Sequence, residues 1–180
     1  MNRDSTYYSR VTAALDALGV AADWPQLRQL PLILEARRLT PVGLGTDGRD
    51  KLLTQSAARA WRAMHAQSIK DGIDLQLVSA FRSVDFQAML IRAKLDRGMA
   101  LEEVLRINAP PGYSEHHSGR AVDLGTTNCA ALDEAFEQTA AFAWLSENAV
   151  RFGFALSYPR GNRQGFLYEP WHWCFGVGAR

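Results

Sequence analysis

Ser114-Glu-His-His-Ser-Gly-Arg-Ala-Val-Asp123 is the stretch that organises this chain, together with Glu169-Pro-Trp-His172 near its end. The first stretch follows Pro110-Pro-Gly112, which breaks any preceding helix, and it runs into a short apolar strand over Arg120–Leu124. The second lies in an aromatic segment, Tyr168–Phe175, that reads as a final strand. Two histidines and two carboxylates at these spacings suit three metal ligands plus a general base. That set points to hydrolysis rather than metal storage.

Working outward, helical and extended patterns alternate irregularly. Tyr8, Val11, Leu15 and Leu18 recur at helix spacing after Ser5, and Gly19 is the stop. From Ala22 to Asp50 prolines and glycines punctuate the chain, which predicts loop with one short helix or strand. Thr54–Lys70 carries a helical stripe of Ala57, Trp61, Met64 and Ile69, closed by Asp71-Gly72. Asp74–Ser79 alternates like a strand. Ser83 is placed to cap a helix presenting Phe86, Met89, Leu90 and Ala93 on one face, with Gly98 as its end. A short helix over 101–107, a helical stretch over 132–152 read as one or two helices, a strand over 154–156 and a turn over 159–165 complete the reading. Helices and short strands without regular βαβ alternation predict an α+β fold. One domain over 1–180 is expected, with 1–50 an N-terminal helical and loop extension and 75–175 the catalytic core.

Composition narrows the function classes. The formal net charge is +1, from 20 basic and 19 acidic residues, which gives no global attraction to nucleic acid or an anionic membrane. No run reaches the roughly 18 apolar residues of a membrane span. Arg10 and Asp16 interrupt the first apolar positions, so no signal peptide is read, and the chain as given is expected in the cytoplasm, with periplasmic or phage-assisted release as alternatives. A monomer is expected. Cys129 and Cys174 are read as reduced buried thiols.

Each site residue has two readings. Asp123, a carboxylate between Val122 and Leu124, needs a positive partner: either a metal ion or an arginine. His172, between Trp171 and Trp173, is a third ligand or a satisfied core histidine. Glu169, three residues earlier, is a proton carrier or an exposed strand-end charge. Arg82, in Ser79-Ala-Phe-Arg-Ser83, clamps a carboxylate or oxyanion, or else forms a surface ion pair. Tyr113 and Ser114 flank the ligand loop and could hydrogen-bond substrate. His116 and His117 compete for one coordination position, and spacing alone does not choose between them.

The chain resembles the VanY-type D-alanyl-D-alanine carboxypeptidases, part of a wider zinc peptidase group that includes D-Ala-D-Ala dipeptidases and phage L-Ala-D-Glu endopeptidases. Ser114, His116, Gly119, Ala121 and Asp123 fit the family's SxHxxGxAxD signature. Glu169-Pro-Trp171-His172 is similar to its ExWH segment, and Ser79-Ala-Phe-Arg82-Ser83 to its SxFRS-type segment. The motifs occur in family order across residues 75–175. The resemblance implies one Zn2+ held by His116, Asp123 and His172, with Glu169 as general base and Arg82 as the contact to a substrate carbonyl or carboxylate. It selects His116 over His117. It implies Ser114 and Gln87 as binders of the terminal carboxylate, with Ser79 as a further substrate contact. It also implies a small central antiparallel sheet flanked by helices, and a peptidoglycan stem peptide or muropeptide as substrate.

Three functions follow from these readings. The first is a zinc carboxypeptidase releasing C-terminal D-alanine, D,D- or L,D-specific. The second is an endolysin-like endopeptidase. The third is a non-catalytic, metal-stabilised binding module.

Overall fold

The computed structural model describes residues 3–176. Its centre is a four-stranded antiparallel sheet in the order β3 (Gln76–Ser79), β4 (Ala121–Gly125), β6 (His172–Phe175) and β5 (Phe154–Leu156). A hairpin of β1 (Thr40–Leu44) and β2 (Asp50–Leu53) forms a second, two-stranded sheet, tied to the β3 side by the amide of Thr46 donating to the carbonyl of Leu77 and that of Phe81 to the carbonyl of Leu52. Among the described residues six α-helices surround these strands: α1 (Arg3–Leu18), α2 (Trp24–Leu27), α3 (Gln55–Lys70), α4 (Val84–Leu95), α5 (Leu101–Ile107) and α6 (Ala140–Asn148). This is the α+β architecture expected from the sequence.

Every residue of β4 is buried. Side chains alternate across a strand, so Val122 and Leu124 enter the main core while Asp123 points to the other face. That core joins Leu53, Ala57, Trp61 and Met64 to Leu77, Phe136, Leu145, Phe154 and Trp173. A second apolar cluster packs Val11, Leu15 and Leu18 of α1 on Val84 and Ile91 of α4 and Val104 and Leu105 of α5.

Several local expectations are corrected. Tyr8 and Ile69 are exposed; Ser68 takes the buried place at the end of the α3 stripe. On α4 the buried face is Val84, Gln87 and Ile91, while Phe86 and Met89 face outward. A polar Gln87 on the inner face hides the true stripe from hydrophobic periodicity. The last strand begins only at His172, because Glu169 and Pro170 form a turn ahead of it. The stretch 132–152 holds one α-helix, α6, between 3-10 turns at Glu134–Gln138 and Ala149–Phe152. The segment 22–50 holds both a short helix and the hairpin's first strand. Cys174 is buried and Cys129 half-buried; both are free thiols.

The N-terminal segment is built into the ligand loop. The amide of Ile33 donates to the carbonyl of Gly112 (2.8 Å), and that of Ala36 to the carbonyl of His117 (2.8 Å). Glu35 Oε1 accepts from the amide of Val84 (2.5 Å) at the start of α4, and Glu35 pairs with Arg10 of α1. Ser83 caps the same helix through the amide of Phe86. Gly119 has φ +63°, and a Cβ there would press on Leu39, Ala36 and Thr54 at 3.0–3.3 Å. Both the left-handed turn and the close packing require glycine at this position.

Candidate metal centre

Strand pairing assembles the centre. Asp123 of β4 lies directly opposite His172 of β6, and Ser79 of β3 is opposite Asp123 on the other side. His116 arrives from a 3-10 turn, Glu115–Ser118, just before β4. Among the described residues, His116, Asp123 and His172 form one group that could hold a metal ion, with donor atoms within 4.8 Å of one another and all three side chains buried. Asp123 Oδ2 is 3.1 Å from His116 Nε2, and Asp123 Oδ1 is 2.9 Å from His172 Nδ1.

The donor chemistry fits a divalent cation. His116 Nδ1 is 2.6 Å from the carbonyl of Ala80, an acceptor only, so this nitrogen carries the proton. Nε2 is then a lone pair facing a carboxylate oxygen, and it is buried without a hydrogen-bond partner. Two electron-rich atoms 3.1 Å apart in a buried site call for a cation between them. Burial, reinforced by the Arg82 charge, pushes His116 down to about 4, so the ring is neutral and ready to ligate.

His172 behaves oppositely. Burial disfavours its charge, but hydrogen bonds to Asp123 and Glu115 outweigh that and raise it to about 10. Burial also works against the Asp123 carboxylate, yet His116 and His172 beside it hold it well below the usual range. His117 is excluded from coordination. Its Nδ1 donates to the carbonyl of Arg82 (2.6 Å), and its Nε2 accepts from the amide of Gly112 (3.0 Å), so both nitrogens are occupied by backbone.

Glu169 and His172 are joined by a tight turn: the amide of His172 donates to the carbonyl of Glu169 (3.0 Å). This puts Glu169 Oε2 at 3.9 Å from His172 Nδ1. Burial raises the Glu169 carboxyl to about 7, with the Asp123 charge adding to it and His172 and Arg82 opposing. A carboxyl poised near neutrality can both take and return a proton. Arg82 lies in the same cavity, its Nη2 3.8 Å from Asp123 Oδ2 and its Nε buried without a partner. Arg82 thus forms an ion pair inside the site, with Asp123, and not the surface pair considered for it; the arginine and metal readings of Asp123 meet at the same carboxylate.

The cavity beside this group is lined by Arg82, Gln87, Ser114, Tyr158, Glu169 and His172, among others. Gln87 Nε2 donates to the carbonyl of Ala109 (2.8 Å), leaving a buried, unpartnered Oε1. Two other candidates lie elsewhere. Tyr113 packs with the apolar clusters around α1 and Leu30, and Ser79 borders a groove with Asp47, Arg49 and Phe86. Sequence reasoning missed Tyr158, whose ring lies 4.8 Å from that of His172. It also missed Glu115, which sits inside the quoted motif but whose contact is 57 positions away.

Residues 50–179 match the family model of the D-alanyl-D-alanine carboxypeptidases (VanY). This chain belongs to that family. A curated relative, the putative carboxypeptidase YodJ of Bacillus subtilis, is 34% identical over 128 residues, covering 68% of this chain and 45% of the Bacillus protein. The chain thus spans under half the length of that relative. Among solved structures, the LdcB LD-carboxypeptidase superposes with a TM-score of 0.70 at 30% identity, over 81% of this chain and 71% of that one. The vancomycin-resistance D,D-pentapeptidase VanY, solved with Zn(II), shares the fold with a TM-score of 0.60 at 23% identity, over 81% of this chain and 87% of that one. Residues 1–49, including the strap that holds the ligand loop, lie outside the matched family region.

Proposed function

We propose that this family member is a zinc-dependent carboxypeptidase that removes a C-terminal D-alanine from peptidoglycan stem peptides. The observation that carries this reading is a half-buried arginine, Arg82, whose Nε is buried and unpartnered, in the same cavity as the metal-ligand group and a carboxyl raised to about 7. An Arg82 prepared for an anion favours a substrate with a free terminal carboxylate, and so an exopeptidase over an endopeptidase. A purely structural metal site would need neither Arg82 nor Glu169.

His116, Asp123 and His172 are the residues that would hold the ion. Bound there, zinc supplies a Lewis acid that polarises the scissile carbonyl and acidifies water. The remaining steps belong to the chain's own side chains. Glu169 takes the proton of the attacking water and delivers it to the departing amine nitrogen. Arg82 binds negative charge on the substrate, with its planar fork aligned by the turn between β3 and α4. Ser114 lines the cavity as a donor for the terminal carboxylate, while the free Oε1 of Gln87, an acceptor whose amide N–H is spent on Ala109, suits a substrate N–H and not the carboxylate.

Products of muramyl pentapeptide and tetrapeptide, resolved by mass spectrometry with and without a chelator, test the proposal. Chelator-sensitive loss of one alanine is expected. Loss from the pentapeptide marks a D,D-enzyme and loss from the tetrapeptide an L,D-enzyme. An internal cut would replace this reading with the endopeptidase. Zinc binding with no cleavage would replace it with the binding module.

A further inference from the structure

One 3-10 turn, Glu115–Ser118, contributes to the centre three times. His116 faces the ligand group, His117 ties the turn to backbone, and Glu115 reaches across to the opposing ligand. Glu115 Oε2 accepts from His172 Nε2 at 2.9 Å, on the side of the ring away from Asp123. The same oxygen accepts from Ser157 Oγ at 2.6 Å, just past β5. The chain Ser157–Glu115–His172 therefore ends at Nδ1, the nitrogen that meets Asp123.

Histidine has two nitrogens, and which one ligates is set by what the other one bonds. We propose that Glu115 is a positioning residue for His172. By accepting the Nε2 proton it leaves Nδ1 as the metal-facing lone pair and holds the ring plane on the ion. Ser157 acts one step further out by fixing the Glu115 carboxylate. Without Glu115 the imidazole is free to take either tautomer and to rotate about its last torsion. Only one of those arrangements completes the site. This rests on the zinc reading above and adds to it the origin of the ligand's tautomer and part of the site's affinity.

The test is competitive zinc titration of the full chain against a chromophoric chelator, for wild type, Glu115→Ala, Glu115→Gln and Ser157→Ala. Cobalt(II) spectra and long-range nitrogen NMR of the His172 ring accompany it. Wild type should bind zinc with Nε2 protonated and Nδ1 ligated. Glu115→Ala should weaken zinc by roughly 10- to 100-fold, the usual effect of losing such a partner, and shift the cobalt bands. Glu115→Gln, whose amide oxygen still accepts the Nε2 proton, should recover most of that loss. Ser157→Ala should fall between wild type and Glu115→Ala. The cobalt bands and the tautomer are readouts that a merely structural role would leave in place. If Glu115→Ala fails to fold, the wild-type tautomer and the Ser157→Ala affinity still decide. Nε2 ligation in wild type, or wild-type zinc affinity with unchanged cobalt bands in the variants, would overturn the proposal and leave the peptidase reading standing. A wild-type protein that binds no zinc would overturn both.

Discussion

Asp123 and His172 face each other across two adjacent antiparallel strands, with Asp123 Oδ1 2.9 Å from His172 Nδ1. Their 49-residue separation in sequence is closed by strand pairing, so the sheet fixes these two members of the group, while His116 joins them from a 3-10 turn. Rigid elements hold ligands more closely than loops do, and the consequences can be measured.

The two adjacent histidines should separate cleanly on substitution. His116→Ala removes a buried ligand and should abolish stoichiometric zinc binding, read by metal analysis after dialysis. His117→Ala should retain the metal, because its nitrogens bond only to Arg82 and Gly112 backbone. It should instead lower stability by roughly 1–3 kcal/mol, the cost of orphaning a buried partner, read by denaturant unfolding. The opposite pattern would reassign the ligand.

Glu169→Gln should keep zinc and reduce kcat by roughly 100- to 10,000-fold, the range for losing a positioned proton carrier. KM should change little. An equal loss of metal and turnover would make Glu169 a structural residue.

Arg82→Lys should lower kcat/KM for a peptide with a free C-terminus, because lysine offers a point charge in place of a planar fork. The wild-type enzyme should discriminate against the amidated peptide, and the variant should discriminate less. Equal turnover of both peptides by wild type would remove Arg82 from carboxylate recognition.

The metal-free protein should lose stability as pH rises from 7 to 8.5. His172 is raised to about 10 in the folded state, above its ordinary 6.5. Its contribution is therefore complete below 6.5 and is lost as pH climbs toward 10. His116, lowered to about 4, has finished titrating before that window, whereas Glu169, raised to about 7, is half-protonated at its start and adds to the loss until about one pH unit higher. Burial pushes the Cys174 thiol up, so its own contribution is lost mainly as pH passes the ordinary value of 9.0, above that window. Each extra proton bound by the folded state gives a slope of about 1.4 kcal/mol per pH unit. Thermal unfolding of chelated protein across this range checks it. Zinc must displace that proton, so zinc affinity should rise with pH over the same window, and calorimetry in buffers of different ionisation enthalpy should count about one proton released. A flat profile without zinc would mean His172 is not charged there.

Glu35→Ala should destabilise the fold by about 1–3 kcal/mol, because the amide of Val84 loses its acceptor and Arg10 its partner. Denaturant midpoints read this directly. If stability is unchanged, the N-terminal strap does not support the start of α4.

Much of this was legible beforehand because it is local. The spacing of Val11, Leu15 and Leu18 reports α1 directly, since a helix folds neighbours in sequence onto one face. The turn at Asp71-Gly72 and the cap at Ser83 were readable for the same reason. Where burial depended on a distant partner, periodicity misled. Met89 and Phe86 are apolar but face outward, while Gln87 is polar and buried because its amide meets the carbonyl of Ala109.

The amino-acid sequence by itself determined the α+β class, the residue types of the centre, the chemistry they favour and, through three ordered motifs, the family. It left Asp123 balanced between metal and arginine, and by spacing alone it did not choose between His116 and His117. Only the tertiary structure showed which nitrogen of each ring is occupied, that Asp123 meets both Arg82 at 3.8 Å and, nearer, the two histidine rings, and that Glu115 bonds His172. Those outcomes depend on distances of a few ångströms between residues far apart in the chain, which strand register and packing set and which no local pattern encodes.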